Sequence, residues 1–587
     1  NRALGFRSFV SALLALAFIA PAEAQVKFKD VTVGAGVEYS GESYGSSWGY
    51  ANDDPLPDIY VSHHRSRPSL YINLGNGKFE DRTREIDAWR LVPRSDTHGG
   101  TFADFNNDGF NDLLITVGAS NVSQFLVNDG SILSDRVKDF TFDVKSWGGR
   151  LPIWFDFTND GRLDLAVAVQ RAKLRLFKFA GGDFVPQNFS SGQDCFDHDY
   201  AHLSDWTLDG KLDLICVNHS RGPGRIYDYS VGLPWRDRSS LAIPTNRVND
   251  SIIADFDGDQ IMDLFAIRGK VRVNGASIVG GKSVEAHLIN LKGTDTGITF
   301  ESGGDLEVEL HWNAANANKV FIGSGGRHPR AAEHKQPITF TLTASDPKVR
   351  GIRRYDAALD EGIYVGYDPA TRTWSWFNSA GTRASAYTYV YLRSTQAVSN
   401  LEIVRLGNSE KPVKPAMLKY TNGKWSDQIA GTGLDHNVSC NAVAAADFDN
   451  DMDVDLYYVC RGGVKNTANR LYLNDGTGRF STAAAPHGAE GPIGLGKGLG
   501  ENVSVSDYDV DGFVDLFVTN GLKLEPRFPG YQTGGPDKLF RNTGKDRGNQ
   551  NKWIQIDLRG VKSNRNGIGA TVTVTAGGKT QRREQNG

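Results

Sequence analysis

Long apolar runs are almost missing from this 587-residue chain. Beyond one N-terminal stretch, Phe9 to Ala20, no segment nears the roughly 20 apolar residues that a membrane-spanning helix needs. A surplus of charge is missing as well. The 65 Lys and Arg face 69 Asp and Glu, a net charge of −4, so no basic field is available to bind nucleic acid. Catalytic signatures are also wanting: there is no Gly-x-Ser-x-Gly elbow, no His-Glu-x-x-His helix and no phosphate loop. His63, His64, His202 and His436 show no metal-ligand spacing. Cysteine is scarce, at four residues.

Glycine is plentiful, with 66 residues beside 39% hydrophobic positions, as expected of a turn-rich all-β protein. Many of the turns repeat one nine-residue acid loop. Copies run from Asp104 to Asp112, Asp156 to Asp164, Asp205 to Asp213, Asp255 to Asp263, Asp447 to Asp455 and Asp507 to Asp515, with a worn copy from Tyr50 to Asp58. Their last Asp residues are 54, 52, 49, 50, 192 and 60 positions apart, and a period near fifty is a propeller or solenoid signature.

Oxygen side chains at positions 1, 3, 5 and 9 of such a loop converge on one hard cation at about 2.3–2.6 Å, the distance for Ca²⁺. The expected ligands are Asp104, Asn106, Asp108 and Asp112; Asp156, Thr158, Asp160 and Asp164; and Asp205, Thr207, Asp209 and Asp213. In the later copies they are Asp255, Asp257, Asp259 and Asp263; Asp447, Asp449, Asp451 and Asp455; and Asp507, Asp509, Asp511 and Asp515. The all-Asp loops at 255, 447 and 507 should bind most tightly, since ligand charge tunes affinity. The worn copy, with Tyr50 at position 1 and Pro55 in place of the turn Gly, is not expected to hold a metal. Ion-free Asx turns would also use Asp, Asn and Gly. Four or five side-chain oxygens align in copy after copy, however; their unpaired carboxylates would repel one another, and a cation answers that repulsion.

An EF-hand is excluded, because position 12 is Ile115, Val167, Cys216, Ala266, Tyr458 or Val518 and never Glu. Each loop leads into a β-branched or aromatic run such as Asp112-Leu-Leu-Ile-Thr-Val117, and hairpin signals such as Ser69 to Phe79 and Arg470 to Phe480 follow. Each unit therefore reads as a four-stranded propeller blade, seven in all. Residues 28–33 resemble a fourth strand and are expected to complete blade seven, removing a free edge. The long gap places an inserted domain at 276–412, whose period-two segments predict a small β-sandwich. Within it, Thr373-Trp-Ser-Trp-Phe377 reads either as a sugar-stacking platform or as core packing.

Arg2, Arg7, the apolar core and Ala22-Glu-Ala24 describe a secretory signal at 1–24. Export suits calcium loops and makes the cysteines readable as disulfides, with Cys195 to Cys216 and Cys440 to Cys460 as the expected pairs. Six residues before each loop stand Tyr44, His98, Arg150, Asp199, Asn249, Asn441 and Glu501. On innermost strands these would ring one mouth of the central channel, as a ligand site or as a solvated funnel.

With these residues in view, the repeats resemble the FG-GAP/VCBS family of integrin α-chain propellers, certain lectins and many exported bacterial proteins. The tail, Trp553 to Gly560, Ser563 to Ala570 and Thr571 to Arg582, resembles the opening of the ASPIC/UnbV domain of cartilage-acidic-protein-like proteins. The chain opens on Asn1 and stops at Gly587, so that domain is expected to be truncated. The resemblance implies calcium binding and an extracellular interaction role, and names no reaction.

The expectation is an all-β protein: a seven-bladed β-propeller with an inserted β-sandwich and a partial C-terminal β domain. Its segments are a signal peptide (1–24), propeller (25–275), insertion (276–412), propeller (413–548) and ASPIC/UnbV-like tail (549–587). The expected role is that of a secreted or cell-surface Ca²⁺-binding scaffold for an extracellular protein or glycan. A lectin-like module, or a polysaccharide lyase or hydrolase at the channel mouth, is the alternative.

Overall fold

The computed structural model describes residues 26–585 apart from 65, 85–95, 119–122, 131–132, 142–148, 170–172, 189–199, 207, 218–223, 230–231, 234, 239–247, 269–273, 313–318, 329–336, 406–412, 422–423, 463–464, 496 and 522–533. The signal at 1–24, Asp199, Cys195 and Thr207 lie outside the described residues.

Seven blades are built alike. Blade 1 comprises Ser43–Gly49, Asp58–His63, Ser69–Gly75 and Lys78–Asp81. Blade 2 is Thr97–Ala103, Asp112–Val117, Gln124–Asn128 and Leu133–Asp135, and blade 3 is Gly149–Phe155, Asp164–Val169, Arg175–Ala180 and Asp183–Gln187. Blade 4 follows with Tyr200–Ser204, Asp213–Val217, Arg225–Asp228 and Arg236–Asp237. Blade 5 joins Val248–Ala254 and Asp263–Arg268 to Ala416–Thr421 and Lys424–Asp427. Blade 6 has Cys440–Ala446, Asp455–Gly462, Arg470–Asn474 and Phe480–Thr482, and adds two short strands. Blade 7 is Asn502–Ser506, Asp515–Thr519 and Lys538–Asn542, with Phe28–Asp30 outermost.

The first strand of every blade packs against the first strand of the next, and that of blade 7 returns to blade 1. The ring is closed. Second strands are covered by neighbouring blades on both faces, so Asp112–Val117 and Asp164–Val169 are buried at every position. This accounts for their continuous apolar runs where a one-sided strand would alternate. Between blades lie aromatic layers, for example Phe105, Phe125, Trp154 and Phe184, whose full burial contributes about 1.5–3 kcal/mol for each large side chain.

The closing strand is shorter than the expected 28–33. It pairs Phe28 with Asn542 and Asp30 with Phe540, then stops. The Asp30 side chain accepts hydrogen bonds from the backbone N–H and hydroxyl of Thr32 (3.1 and 2.6 Å), an Asx turn that leads directly into the helix Thr32–Ala35.

Between the second and third strands of blade 5, a five-stranded sheet (Gly275–Val279, Ser283–Leu291, Ser385–Ser394, Leu306–Trp312, Ile338–Leu342) faces a six-stranded one containing Asp295–Glu301, Glu361–Asp368, Thr373–Ala380 and Ser399–Val404. Val284, Leu288, Ile298, Phe300, Trp374 and Trp376 share the core between them. Trp374 and Trp376 are each only 1% exposed, so this pair packs the sandwich and offers no sugar platform.

Candidate functional site

Every acid loop joins the first strand of its blade to the second, and its ninth residue opens the second strand. Asp58, Asp112, Asp164, Asp213, Asp263, Asp455 and Asp515 are all 2% exposed or less. One carboxylate oxygen accepts a backbone N–H from the loop's start, as from Phe105 to Asp112 (3.3 Å) and Phe448 to Asp455 (2.9 Å). In five blades the other oxygen accepts an N–H from the third strand: Asn73, Asn128, Phe179, Asn474 or Asn542.

The first Asp is held as regularly. Asp447 accepts from Asp451 N–H (3.0 Å) and Met452 N–H (2.9 Å), and Asp104, Asp156, Asp205 and Asp507 repeat the pattern. The chain achieves this by turning left-handed at positions 4 and 6, as at Asn107 (φ 61°) and Gly109 (φ 103°). Glycine at position 6 makes that conformation cheap. The worn loop keeps most of the cradle, through Asp54 N–H to Asn52 and Ala51 N–H to Asp58, but Tyr50 supplies no carboxylate at position 1.

Burial raises the carboxyl groups of the cradle. Asp112 and Asp263 are pushed up to about 8, Asp164 and Asp449 to about 7, and Asp447 and Asp507 to about 6; burial is the largest cause, with neighbouring carboxylates adding to it. Three groups bring their ligand atoms within 4.8 Å of one another: Asp255, Asp257 and Asp259; Asp447, Asp449 and Asp455; and Asp507, Asp509 and Asp511. Asp255 Oδ1 and Asp509 Oδ1 are buried without a hydrogen-bond partner, acceptors that a cation would satisfy.

The protein's own cations reach some loops. Arg541 spans Asp509 (2.6 Å) and Asp511 (2.6 Å), and Lys419 pairs with Asp257. Residues 549–585 run across the loop face. Asn549 donates to Asp449 O (2.8 Å), Asn566 Oδ1 accepts from Asp104 N–H (2.8 Å), and Arg565 lies 3.7 Å from Asp104. The hairpin Thr571–Ala576 and Lys579–Glu584 brings Lys579 to Asp453 (2.8 Å), Gln581 to Asp447 (3.3 Å) and Arg582 to Asp205 (3.7 Å).

At the opposite ends of the first strands stand the residues expected to ring a channel mouth. The Tyr44 ring lies 4.8 Å from that of His98, and Arg150 acts on His98 as a like charge. Asn249 donates to Cys440 O (3.1 Å), Asn441 donates to Glu501 O (2.8 Å), and Arg461 pairs with Glu501 and donates to Asn441 Oδ1 (2.9 Å). Six of the seven expected residues are described: Tyr44, His98 and Arg150 are neighbours on one side, and Asn441 meets Glu501 on the other, with Asn249 bonded to Cys440 beside Asn441.

Glu42, His64 and Asp96 join this group from outside the aligned positions. His64 Nε2 lies 2.7 Å and His98 Nε2 2.9 Å from the same oxygen, Asp96 Oδ1, while His64 Nδ1 meets Glu42. Burial depresses His98 to about 4. For His64, burial is outweighed by the two carboxylates and the group is raised; for Asp96, burial is outweighed by the two imidazoles and the group is held well below the carboxylate range. Spacing could not show this cluster, because its members come from two blades and the segments flanking them.

Cys440 and Cys460 face each other in register across the first two strands of blade 6 and are joined as a disulfide. Cys216 is disulfide-bonded as well. No helix among the described residues is long and apolar enough to cross a membrane.

A family model described as FG-GAP-like repeat matches residues 51–115 and 447–518, which contain the loops of blades 1, 2, 6 and 7. Cartilage acidic protein 1 from Xenopus tropicalis is 28% identical over 154 residues, and the match spans 26% of this chain and 21% of that protein. Among solved structures, the V. cholerae biofilm matrix protein Bap1 aligns at 12% identity and a TM-score of 0.34, covering 88% of this chain and 91% of that one. An Agrocybe aegerita lectin that recognises non-reducing terminal N-acetylglucosamine aligns at 14% identity and a TM-score of 0.27, covering 76% and 91%.

Proposed function

We propose that this protein is an exported, calcium-stabilised β-propeller that serves as an adhesion or recognition scaffold for an extracellular protein or glycan. The observation that supports calcium is the repeated cradle. The first Asp is cradled alike in blade after blade, and in blades 5, 6 and 7 three aspartates bring carboxylate oxygens close together, an oxygen-only set that suits a hard cation. Asp104, Asn106, Asp108 and Asp112, with their counterparts in blades 3 to 7, would hold it, and the ion would neutralise carboxylates that burial otherwise forces toward protonation. Its role is to tie first strand to second. The disulfide at Cys440–Cys460 supports an oxidising, exported setting.

Thermal unfolding with millimolar Ca²⁺ and with excess chelator tests the metal role. A ligand bound only by the folded state raises the melting temperature, so coincident curves would refute it.

A second reading is favoured by one specific observation, the grouping of Tyr44, His98, Arg150 and Glu501 at the channel mouth. Such convergent polar groups suit a lectin-like glycan site, or a polysaccharide lyase or hydrolase. A glycan array with and without chelator distinguishes sugar binding from protein binding. Product release from polysaccharides that is lost in His98→Ala and Arg150→Ala would establish the enzyme.

A further inference from the structure

We infer that the inserted β-sandwich carries a binding site for one acidic sugar residue, a uronate, on the outer face of its six-stranded sheet. The site extends the scaffold reading to a surface that belongs neither to the acid loops nor to the channel mouth.

Strand alternation builds its floor. Ile363, Val365 and Tyr367 face the core between the sheets, so Tyr364 faces outward. Phe321, in the strand Val320–Ile322, stands opposite Tyr364 in a parallel pair. Their rings stack at 5.0 Å, and Tyr355 stacks on Tyr364 at 3.9 Å. The Tyr355 hydroxyl donates to Asp295, which fixes that end of the row. At the other end Arg353 lies over the Phe321 ring, 4.5 Å from its centre.

The segment that carries Arg353 and Arg354 is laid directly on the sheet. Gly351 N–H donates to Tyr367 O (3.1 Å), and a Cβ on Gly366 would sit 1.8 Å from Gly351 O, so glycine alone admits this close approach. A tight turn follows, in which Asp356 accepts from Ala358 N–H (2.9 Å) through its side chain and from Leu359 N–H (3.0 Å) through its backbone. That turn projects Leu359, which is 66% exposed.

Between these parts lies a cavity of about 180 Å³. Pockets for drug-sized ligands run to roughly 300–1,000 Å³, so this one suits a single sugar ring. Phe321 and Leu359 make one part of its wall apolar. Of the charged groups, Glu361 is matched by Arg383 (3.0 Å) and Lys319 (3.8 Å). Among the described residues, no ion pair or hydrogen bond holds Arg353 or Arg354. Stacking orients the Arg353 guanidinium, whose N–H fork matches a carboxylate.

The presence of both signs selects the ligand class. A bare anion such as sulfate would meet Asp360 and Glu361 as well as the arginines, and an acidic peptide would bring no hydroxyls for those carboxylates. A uronate sets its carboxylate on Arg353 and Arg354, turns hydroxyl donors toward Asp360, and lays its C–H groups against Leu359 and Phe321.

The test is calorimetric titration of the full chain, at saturating Ca²⁺, with digalacturonate, its methyl ester, sulfate and a Glu-rich peptide. We expect saturable binding of one digalacturonate, at least tenfold tighter than that of the ester, which keeps the rings and loses the charge. Arg353→Ala and Arg354→Ala should each weaken it about 10- to 100-fold. Both side chains are exposed, so melting temperatures should stay at the parent value. Arg393→Ala, which removes the same charge from the other sheet, should leave affinity unchanged. Absence of uronate binding, undiminished binding by Arg354→Ala, or sulfate or peptide bound as tightly as the uronate overturns the site. Binding lost in Arg150→Ala and kept in Arg353→Ala also overturns it, and places the sugar at the channel mouth instead. Because Ca²⁺ is saturating throughout, failure here leaves the calcium-scaffold reading to its own melting test.

Discussion

Asn474, in the third strand of blade 6, donates its side-chain N–H to Phe256 O in the acid loop of blade 5 (2.8 Å) and to Val454 O in its own loop (3.0 Å). Its backbone N–H meanwhile donates to Asp455 (2.9 Å). One asparagine thus ties two blades together through both of their acid loops. Asn542 repeats the arrangement on Phe448 (2.8 Å), Asn128 on Ala51 (3.1 Å) and Asn73 on Tyr508 (2.8 Å).

Asn474→Ala should be costly out of proportion to its size. It strands two buried carbonyl oxygens, at about 1–3 kcal/mol for each unsatisfied group, so a loss of at least 2 kcal/mol is expected from denaturant midpoints. Exposed Arg479→Ala on the adjoining turn should change stability by less than about 0.5 kcal/mol. Equal effects from the two substitutions would show that the bridge does not join the blades.

The blade 7 loop carries a strained residue. Val510, at position 4, sits at φ 55°, where a β-branched side chain crowds its own backbone. Gly258 occupies the same position in blade 5 without that penalty (φ 74°). Val510→Gly should therefore stabilise the protein by about 1 kcal/mol, read as a higher melting temperature. A fall in melting temperature would mean that the side chain's packing outweighs its strain.

How far the sequence discloses the molecule depends on how local each signal is. The acid loops are nine-residue motifs and the blades repeat about every fifty residues, so ring, loops and insertion are legible from spacing alone. The closing strand is legible in place but not in length, because the Asp30 to Thr32 turn ends it early. Asn73, Asn128, Asn474 and Asn542 recur in the third strands and were a readable signal, although their acceptors lie in neighbouring blades. The cluster of Glu42, His64, Asp96 and His98 leaves no spacing signature, since only folding brings two blades together. The same holds for Lys579 on Asp453, across 126 positions of chain.

Stability should depend on pH through a buried pair far from the loops. Asp537 accepts from Ser43 Oγ (2.7 Å) and Asn520 N–H (3.1 Å), and burial pushes it up to about 7. The folded state therefore keeps its proton after the unfolded state has released it, and stability falls as pH rises from about 4 to about 7. Ser43 also contacts His63, which burial depresses to about 3 and which stacks on Tyr39, with Tyr71 close by. A depressed histidine acts in the opposite sense, so its contribution grows as pH rises through that range. Asp537→Asn removes the falling component and leaves the rising one. Melting temperatures at fixed Ca²⁺ between pH 4 and 7 should then slope more positively than in the parent. An unchanged slope would mean that Asp537 is ionised throughout.

Arg541 sits beside the place where a cation would neutralise the blade 7 loop, bonded to Asp509 and Asp511. Those bonds leave Asp509 Oδ1 buried and unbonded, so the guanidinium satisfies the loop only in part. Arg541→Gln deletes a fixed positive charge beside the ligands, and two opposed consequences follow. Without metal, Asp507, Asp509 and Asp511 repel one another with less compensation, and the melting temperature should drop. With metal, the competing charge is gone and Ca²⁺ should bind this loop more tightly, by about tenfold if the relief is worth about 1.4 kcal/mol. The Ca²⁺-induced rise in melting temperature should therefore be larger in Arg541→Gln than in the parent chain. A smaller rise would show that Arg541 supports the ion rather than competing with it.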